Sequence, residues 1–372
     1  MNVLVTGAKG FIGKNLVVYL KRIANVSLWE YDIDSPPEAM EDGLAAADVV
    51  YHLAGVNRPE HVEEYETGNA GLTRHMCSIL RKHKRKPVLV FSSSSQAAVD
   101  NPYGISKRSA EEAVLGFGRD TGASVFVFRL PGVFGKWCRP NYNSVVATFC
   151  HHIARDLPIS ISDPDCEIEL VYVDDVVQSF VGILSGRVPL REGEFCRVEP
   201  TYRIKLGQLA DTIRSFRESR FNLLLPNMKD RFIRCLYATY VSYLPTDSFG
   251  YSLTQSTDSR GELAELFKSS HIGQIFVSRT RPGITRGHHY HETKVEKFVV
   301  INGDAVIRFR HILGVDVIEY PVSGHEFRVV DIPPGYTHSI ENVGKTDLIV
   351  LFWSDEVFDP ERPDTVFEKV MR

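Results

Sequence analysis

The chain has 372 residues, more than one hydrophobic core usually serves, so two domains are expected. Its 43 Lys and Arg against 47 Asp and Glu leave a formal charge of −4, which gives no global positive field for a nucleic-acid backbone and excludes nucleic acid as a partner. No apolar run approaches the roughly 18 residues that span a bilayer, and a strand pattern beginning at Asn2 leaves no room for a signal peptide. A cytoplasmic protein without a membrane partner is expected.

In chain order, short β-branched runs alternate with amphipathic stretches: a strand at 3–5, a helix at 11–21, strands at 26–31 and 48–53, and a polar helix to Lys86. Strands at 88–91 and 125–129 flank a helix at 106–117. That alternation predicts a Rossmann-type, doubly wound parallel sheet over residues 1–245. After about Ser252 the texture changes to closely spaced strands, at 273–277, 297–301, 306–309 and 348–352, with Gly and Pro turns. An antiparallel sandwich or barrel is predicted for 252–372, with 243–251 as the hinge. The six cysteines form no C-x-x-C pair and are expected to be reduced and packed.

Thr6-Gly7-Ala8-Lys9-Gly10-Phe11-Ile12-Gly13 falls between the first strand and the first helix. In that context glycines allow a tight turn and let a pyrophosphate reach a helix N-terminus. Further on, Tyr103 and Lys107 stand four apart, one helical turn, so an ammonium can lower the pKa of a phenol acting as general acid/base. The strand end Phe91-Ser92-Ser93-Ser94 offers a hydroxyl to orient a substrate oxygen; Ser94 is the first choice and Ser93 the second.

With its G-x-x-G-x-x-G spacing, this half resembles the extended short-chain dehydrogenase/reductases over residues 1–245, whose members commonly act on nucleotide sugars. The resemblance places Leu53-Ala54-Gly55 along a nicotinamide cofactor, matches Asn69 to the family's helix asparagine, and extends to Val173-Asp174-Asp175-Val176. Two departures stand out. Only 16 residues separate Tyr31 from Asp48, which omits a strand and the usual adenine-contacting loop, and the gap from Ser94 to Tyr103 is short. Family dehydratases carry adjacent carboxylates after the serine; Ser95 and Gln96 stand here, which favours hydride transfer over dehydration. Asp32 suits a ribose 2'-hydroxyl and Lys9 a 2'-phosphate; NADPH is the expected cofactor, with NADH as the alternative.

In the second half, Gly283-(x)5-His289-x-His291-(x)4-Glu296-(x)6-Gly303 precedes Pro333-x-Gly335-(x)2-His338-(x)3-Asn342. Residues two apart on a strand share a face, so His289 and His291 can hold one ion, with Glu296 and His338 from neighbouring strands. Three imidazoles and a carboxylate suit zinc, iron, nickel or manganese, and zinc is expected. His288 is out of phase and should face away. The two motifs resemble those of the cupins, jelly-roll β-barrel proteins. Asp258-Ser-Arg260-Gly261-Glu262, Pro282-Gly-Ile-Thr-Arg-Gly287 and the closing stretch from Phe358 to Thr365 are similar to the cupin-class nucleotide-sugar 3,5-epimerases, which remove a proton beside a ketone. Candidate bases are His311, Tyr320 and Tyr336.

Together the halves resemble bifunctional capsular-polysaccharide enzymes. That resemblance implies a UDP-2-acetamido-2,6-dideoxy-4-keto-hexose substrate, C3 epimerisation in the cupin, then NADPH-dependent reduction of the 4-ketone to an L-talo sugar, a precursor of L-FucNAc. Epimerisation must come first, because only the ketone acidifies the neighbouring C–H. Lys136, Arg139 and Arg220 are candidate diphosphate contacts, with Arg308 and Arg310 in the cupin. A homo-oligomer is expected. A UDP-sugar 4-epimerase with a structural cupin and a nucleotide-sugar-binding redox sensor are the competing readings.

Overall fold

The computed structural model describes residues 1–371. They divide into two compact units, 1–214 with 234–245, and 215–233 with 246–372. The second unit thus claims an excursion, 215–233, that the predicted boundary at 245 assigned to the first. Leu225 N donates to Lys268 O and Lys268 N to Leu223 O, both at 2.8 Å, so the excursion is stitched to a strand of the second unit by main-chain bonds that no side-chain pattern announces.

The first unit opens with β1 (Asn2–Thr6), α1 (Phe11–Leu20), β2 (Ser27–Tyr31), α2 (Pro37–Ala46) and β3 (Val49–His52). There follow α3 (Glu63–Tyr65), a π-helical stretch Glu66–Gly71, α4 (Leu72–Lys82), β4 (Val88–Ser94), α5 (Pro102–Thr121) and β5 (Val125–Leu130). The main sheet also takes β8 (Leu190–Glu192) and β9 (Phe195–Arg197), in the order β2-β1-β3-β4-β5-β9-β8. A small second sheet joins β6 (Gly132–Phe134), β7 (Glu167–Tyr172) and β10 (Thr201–Lys205). The sheet ends at β2 because α2 occupies the short interval after Tyr31, which agrees with the omitted strand. Side chains alternate across β1: Val3 and Val5 join one buried cluster with Leu16, Val17 and Phe180, while Leu4 joins another with Leu44, Met76, Leu80, Val114 and Phe117. Both faces of the sheet are therefore covered by helices, as parallel strands require. Strand order reverses at β1, which opens a crevice at its carboxyl end.

The two sheets of the second unit are antiparallel throughout. One six-stranded sheet runs β11 (Gln255–Asp258), β12 (Gly261–Ser269), β13 (Gly273–Thr280), β20 (Leu348–Ser354), β15 (Glu296–Asn302), β18 (Val329–Ile332). The other runs β17 (Val317–Ser323), β16 (Asp304–His311), β19 (Tyr336–Asn342), β14 (Thr285–Tyr290), β21 (Val366–Phe367). Phe298, Val300, Ile332 and Val350 from the first pack with Ile307, Phe309 and Ile340 from the second. These are two sheets sharing a core rather than one hydrogen-bonded closed barrel. Among the described residues no helix is long and apolar enough to cross a membrane. Cys77, Cys150, Cys196 and Cys235 are buried as expected, but Cys138 is half-buried and Cys166 exposed.

Candidate active sites

At the crevice, Gly7 has φ +70°, and a Cβ there would lie 2.7 Å from Ala54 N; one at Gly13 would lie 2.0 Å from Gly7 O. Only glycine lets the chain turn this tightly against the loop after β3. Gly10 caps α1 with no side chain over it, and no acidic residue occupies the helix's first turn, where Phe11 and Ile12 lie. The free N–H groups thus face a position suited to phosphate. Lys9 N donates to Asp32 Oδ2 at 2.7 Å, while Lys9 Nζ pairs with Asp34 at the surface. Leu53 N donates to Thr6 O, and Ala54 N lies 3.4 Å from Thr6 Oγ1, so these residues line the crevice beside the glycine turn.

His52, buried, couples this loop to the helix beyond. Thr73 Oγ1 gives its proton to Asn69 O at 2.7 Å, so it must accept from His52 Nε2 at 2.9 Å, which leaves His52 Nδ1 to accept from Thr6 Oγ1 at 2.7 Å. Burial pushes this imidazole down to about 3, and it stays neutral. Asn69 sits in the π-helical stretch, accepts from Val56 N and donates to Ser106 Oγ. A Cβ on Gly55 would come within 2.7 Å of its Oδ1.

The catalytic candidates meet here. Ser94 ends β4 and accepts from Gln96 N at 3.2 Å. Tyr103 starts α5, under the Asn101 cap, with its ring centroid 5.6 Å from that of Tyr65. Burial raises the Tyr103 phenol, a hydrogen bond with Ser94 pulls it back, and Tyr65 adds to the rise. The expected lowering by Lys107 is not what this state shows. Lys107 Nζ donates to Ser92 O at 2.8 Å and sits 4.7 Å from the centre of the Phe91 ring, so its charge is committed elsewhere. Burial lowers the ammonium to about 8, against the opposing pull of Glu111. Ser93, the second choice, is unavailable: it donates to Glu111 Oε1 at 2.5 Å, and Glu111 is clamped by Arg129 at 2.9 and 2.7 Å.

Of the candidate diphosphate contacts, Lys136 pairs with Asp174 at 2.6 Å and Arg139 lies over the Tyr142 ring at 5.1 Å. Arg220 belongs to the second unit, where its guanidinium donates to Ser248 O at 2.6 Å and covers Tyr251. The cupin pair needs correction. Arg310 is 1% exposed and spends its donors on Val370 O, Lys369 O, Gly314 O and Glu368 Oε1. Arg308 is held between Glu319 and Glu341. Arg310 is structural, since it cannot turn to a ligand without abandoning these buried bonds, whereas Arg308 is half-buried and paired with an exposed Glu319.

In the second unit His289, His291, Glu296 and His338 converge, each offering a donor atom within 4.8 Å of the others. A bulge between Gly287 and His289, with His288 at φ 62°, brings His289 opposite His338 across β14 and β19. His288 leaves the cluster, as its phase implied, and its Nδ1 lies 3.5 Å from Val370 N. His291 Nδ1 donates to Asp364 O at 2.5 Å, which turns the Nε2 lone pair toward Glu296, 3.2 Å away. His291 Nε2 and His338 Nε2 are both buried without a hydrogen-bond partner, 3.2 and 3.6 Å from Glu296 Oε2, a cost that a bound cation would relieve. Burial pushes His289 down to about 4 and His338 to about 3, while Glu296, despite burial, is held low by His291 and its neighbours. Neutral His289 and His338 and an ionised Glu296 are the protonation states a divalent ion needs, so the residues fit a metal. A cavity of about 420 Å³ is lined by Phe309, Ile318, Tyr320, Arg328, Pro333 and Tyr336. Tyr320 and Tyr336 therefore face it, and His311 packs against Tyr336.

Residues 3–194 match the NAD dependent epimerase/dehydratase family, just over half of the chain. The chain belongs to that family. Residues 256–366 match the polysaccharide biosynthesis C-terminal domain. The chain is 46% identical over 365 residues, 98% of each chain, to a UDP-2-acetamido-2,6-beta-L-arabino-hexul-4-ose reductase of Pseudomonas aeruginosa. Its structure superposes on the capsular polysaccharide assembling protein CapF of Staphylococcus aureus with a TM-score of 0.93 and 44% identity, covering all of both chains. A spore coat polysaccharide biosynthesis protein, SpsL, of Bacillus subtilis is 25% identical over 123 residues, covering 30% of this chain and 81% of that protein.

Proposed function

We propose that this protein epimerises C3 of a UDP-2-acetamido-2,6-dideoxy-4-keto-hexose in its second unit and then reduces the 4-ketone in its first, giving an L-talo sugar that feeds L-FucNAc synthesis. The observation that carries the reading is similarity along both units to a UDP-hexulose reductase, with a proton donor kept in one unit and a metal-ligand cluster in the other. The Gly7–Gly13 turn would hold NADPH, which would supply the hydride when bound. Tyr103 gives its proton to the C4 oxygen as the alkoxide forms, and its raised pKa keeps that proton in place until then. Ser94 orients the same oxygen. Lys107, once a ligand replaces the Ser92 carbonyl as its partner, supplies the positive charge that eases proton release. Lys9 can meet a 2'-phosphate because its surface pair with Asp34 is worth little and is readily given up.

In the second unit a bound divalent ion, zinc in this proposal, would supply Lewis-acid polarisation of the ketone. His289, His291, Glu296 and His338 would hold it, and Tyr320 or Tyr336 would carry the C3 proton. The test is to incubate the full chain with the UDP-4-keto sugar in D2O without nicotinamide, then add NADPH and follow products by NMR. Deuterium at C3 before NADPH, then stoichiometric oxidation with formation of the C4 alcohol, is expected. Reduction without C3 exchange would remove the epimerase half.

A further inference from the structure

Between His291 and Glu296, two of the four converging ligands, lies the loop 292–295. Each of its backbone N–H groups points at a carboxylate. Asp364 Oδ1 accepts from Glu292 N at 2.8 Å; Asp364 Oδ2 accepts from Thr293 N at 2.8 Å, Thr293 Oγ1 at 2.9 Å and Lys294 N at 2.8 Å. Asp355 Oδ1 takes the fourth, Val295 N, at 3.0 Å. A run of N–H groups closing on an anion is a nest, and it holds the loop in one shape. The main chain of Asp364 acts as well, since its carbonyl accepts from His291 Nδ1 at 2.5 Å. A histidine fixed this way at one nitrogen presents the other with a set tautomer and ring direction.

The rest of the carboxy-terminal stretch reinforces this grip. Phe367 pairs with His289 and Val366 with Tyr290 across β14 and β21, and Glu368 N donates to His288 O at 2.9 Å. Thr337, next to His338, donates its hydroxyl to Glu368 O. Buried Arg310 then ties down Lys369 O and Val370 O at 2.8 and 2.9 Å. Residues 364–370 therefore brace segments adjoining all four ligands, although they supply none.

We propose that Asp364 is the positioning residue of this metal centre, acting through His291 and the 292–295 loop. The inference rests on the metal reading above. Its test uses the full chain, loaded with Co2+ or Zn2+ in competition with a chromophoric chelator, as wild type, Asp364→Asn and Asp364→Ala. Both variants keep the main-chain carbonyl that accepts from His291 Nδ1, but Ala loses the carboxylate that ties it to the 292–295 loop; losing such an outer support weakens metal affinity by about 10- to 100-fold, and Ala is expected in that range. Asn, which keeps an acceptor oxygen but loses the charge, should fall between Ala and wild type. The visible spectrum of the cobalt form should change in intensity for Ala, because His291 is no longer held in one orientation; a residue that only stabilised the fold would leave that spectrum alone. Wild-type affinity and spectrum in both folded variants, or in Asn alone where Ala does not fold, would overturn the positioning role. Absence of cobalt or zinc binding by the wild-type protein would instead overturn the metal centre itself, and the positioning role with it.

Discussion

Replacing Lys107 by Met should strengthen the fold while stopping the reduction. Burial takes the Lys107 ammonium from 10.5 to about 8, and at about 1.4 kcal/mol per tenfold this corresponds to roughly 3 kcal/mol against folding at pH 7. Methionine keeps the stem and drops the charge, but leaves Ser92 O without this donor, a loss of about 1 kcal/mol. The variant should therefore gain about 2 kcal/mol in the first unit at pH 7. Because the folded pKa lies below the unfolded one, the unfolded chain holds the extra proton between about pH 8 and 10.5, and wild-type stability rises with pH across that window. The Met variant lacks that rise, so its advantage should be complete below about pH 8, gone near pH 10, and reversed by about 1 kcal/mol above 10.5, where only the lost hydrogen bond remains. Urea unfolding of the cofactor-free protein at pH 7 and pH 10 measures both, with the second unit's transition as an internal reference because the whole chain need not unfold in one step. A variant weaker than wild type at pH 7, or an advantage that does not shrink by pH 10, would refute the argument.

Tyr103→Phe should lower reduction by about 10²- to 10⁴-fold, with cofactor affinity by fluorescence titration nearly unchanged. His338→Ala, which removes one of four converging donors, should take the metal content from about one ion per chain to near zero by elemental analysis. Gly13→Ala places a Cβ 2.0 Å from Gly7 O; overpacking of this kind costs about 1–3 kcal/mol and should weaken NADPH binding by about tenfold or more, read by the same titration.

Features that depend on local backbone were legible in the sequence. The glycine turn had to read as glycine because Gly7 takes φ +70° and Gly13 has no room for a Cβ. The His/Glu cluster was legible because strand periodicity puts His289 and His291 together, although the bulge that sets His289 against His338 was not. Features set by distant partners stayed hidden. Nothing near Lys107 in sequence says that its charge goes to Ser92 O, and nothing near Ser93 says that Glu111 takes its proton. Arg308 and Arg310 flank an apolar residue as surface arginines do, yet Arg310 is sealed by residues about 60 positions later. The His52 relay between Thr6 and Thr73 could have been suspected only from a histidine closing an otherwise apolar strand.

The excursion of residues 215–233 changes what can be separated. The polypeptide passes from one unit to the other three times, after Arg214, Ile233 and Pro245, so no single scission divides it into the two units. A protease that nicks only at 246–251 should leave the carboxy-terminal piece attached through the main-chain bonds of Leu223 and Leu225 to Lys268. A recombinant piece starting at 252 would lack that support for β12 and expose the edge it covers. Activities of the two halves are for that reason better dissected by point substitution in the intact chain than by expressing each half alone.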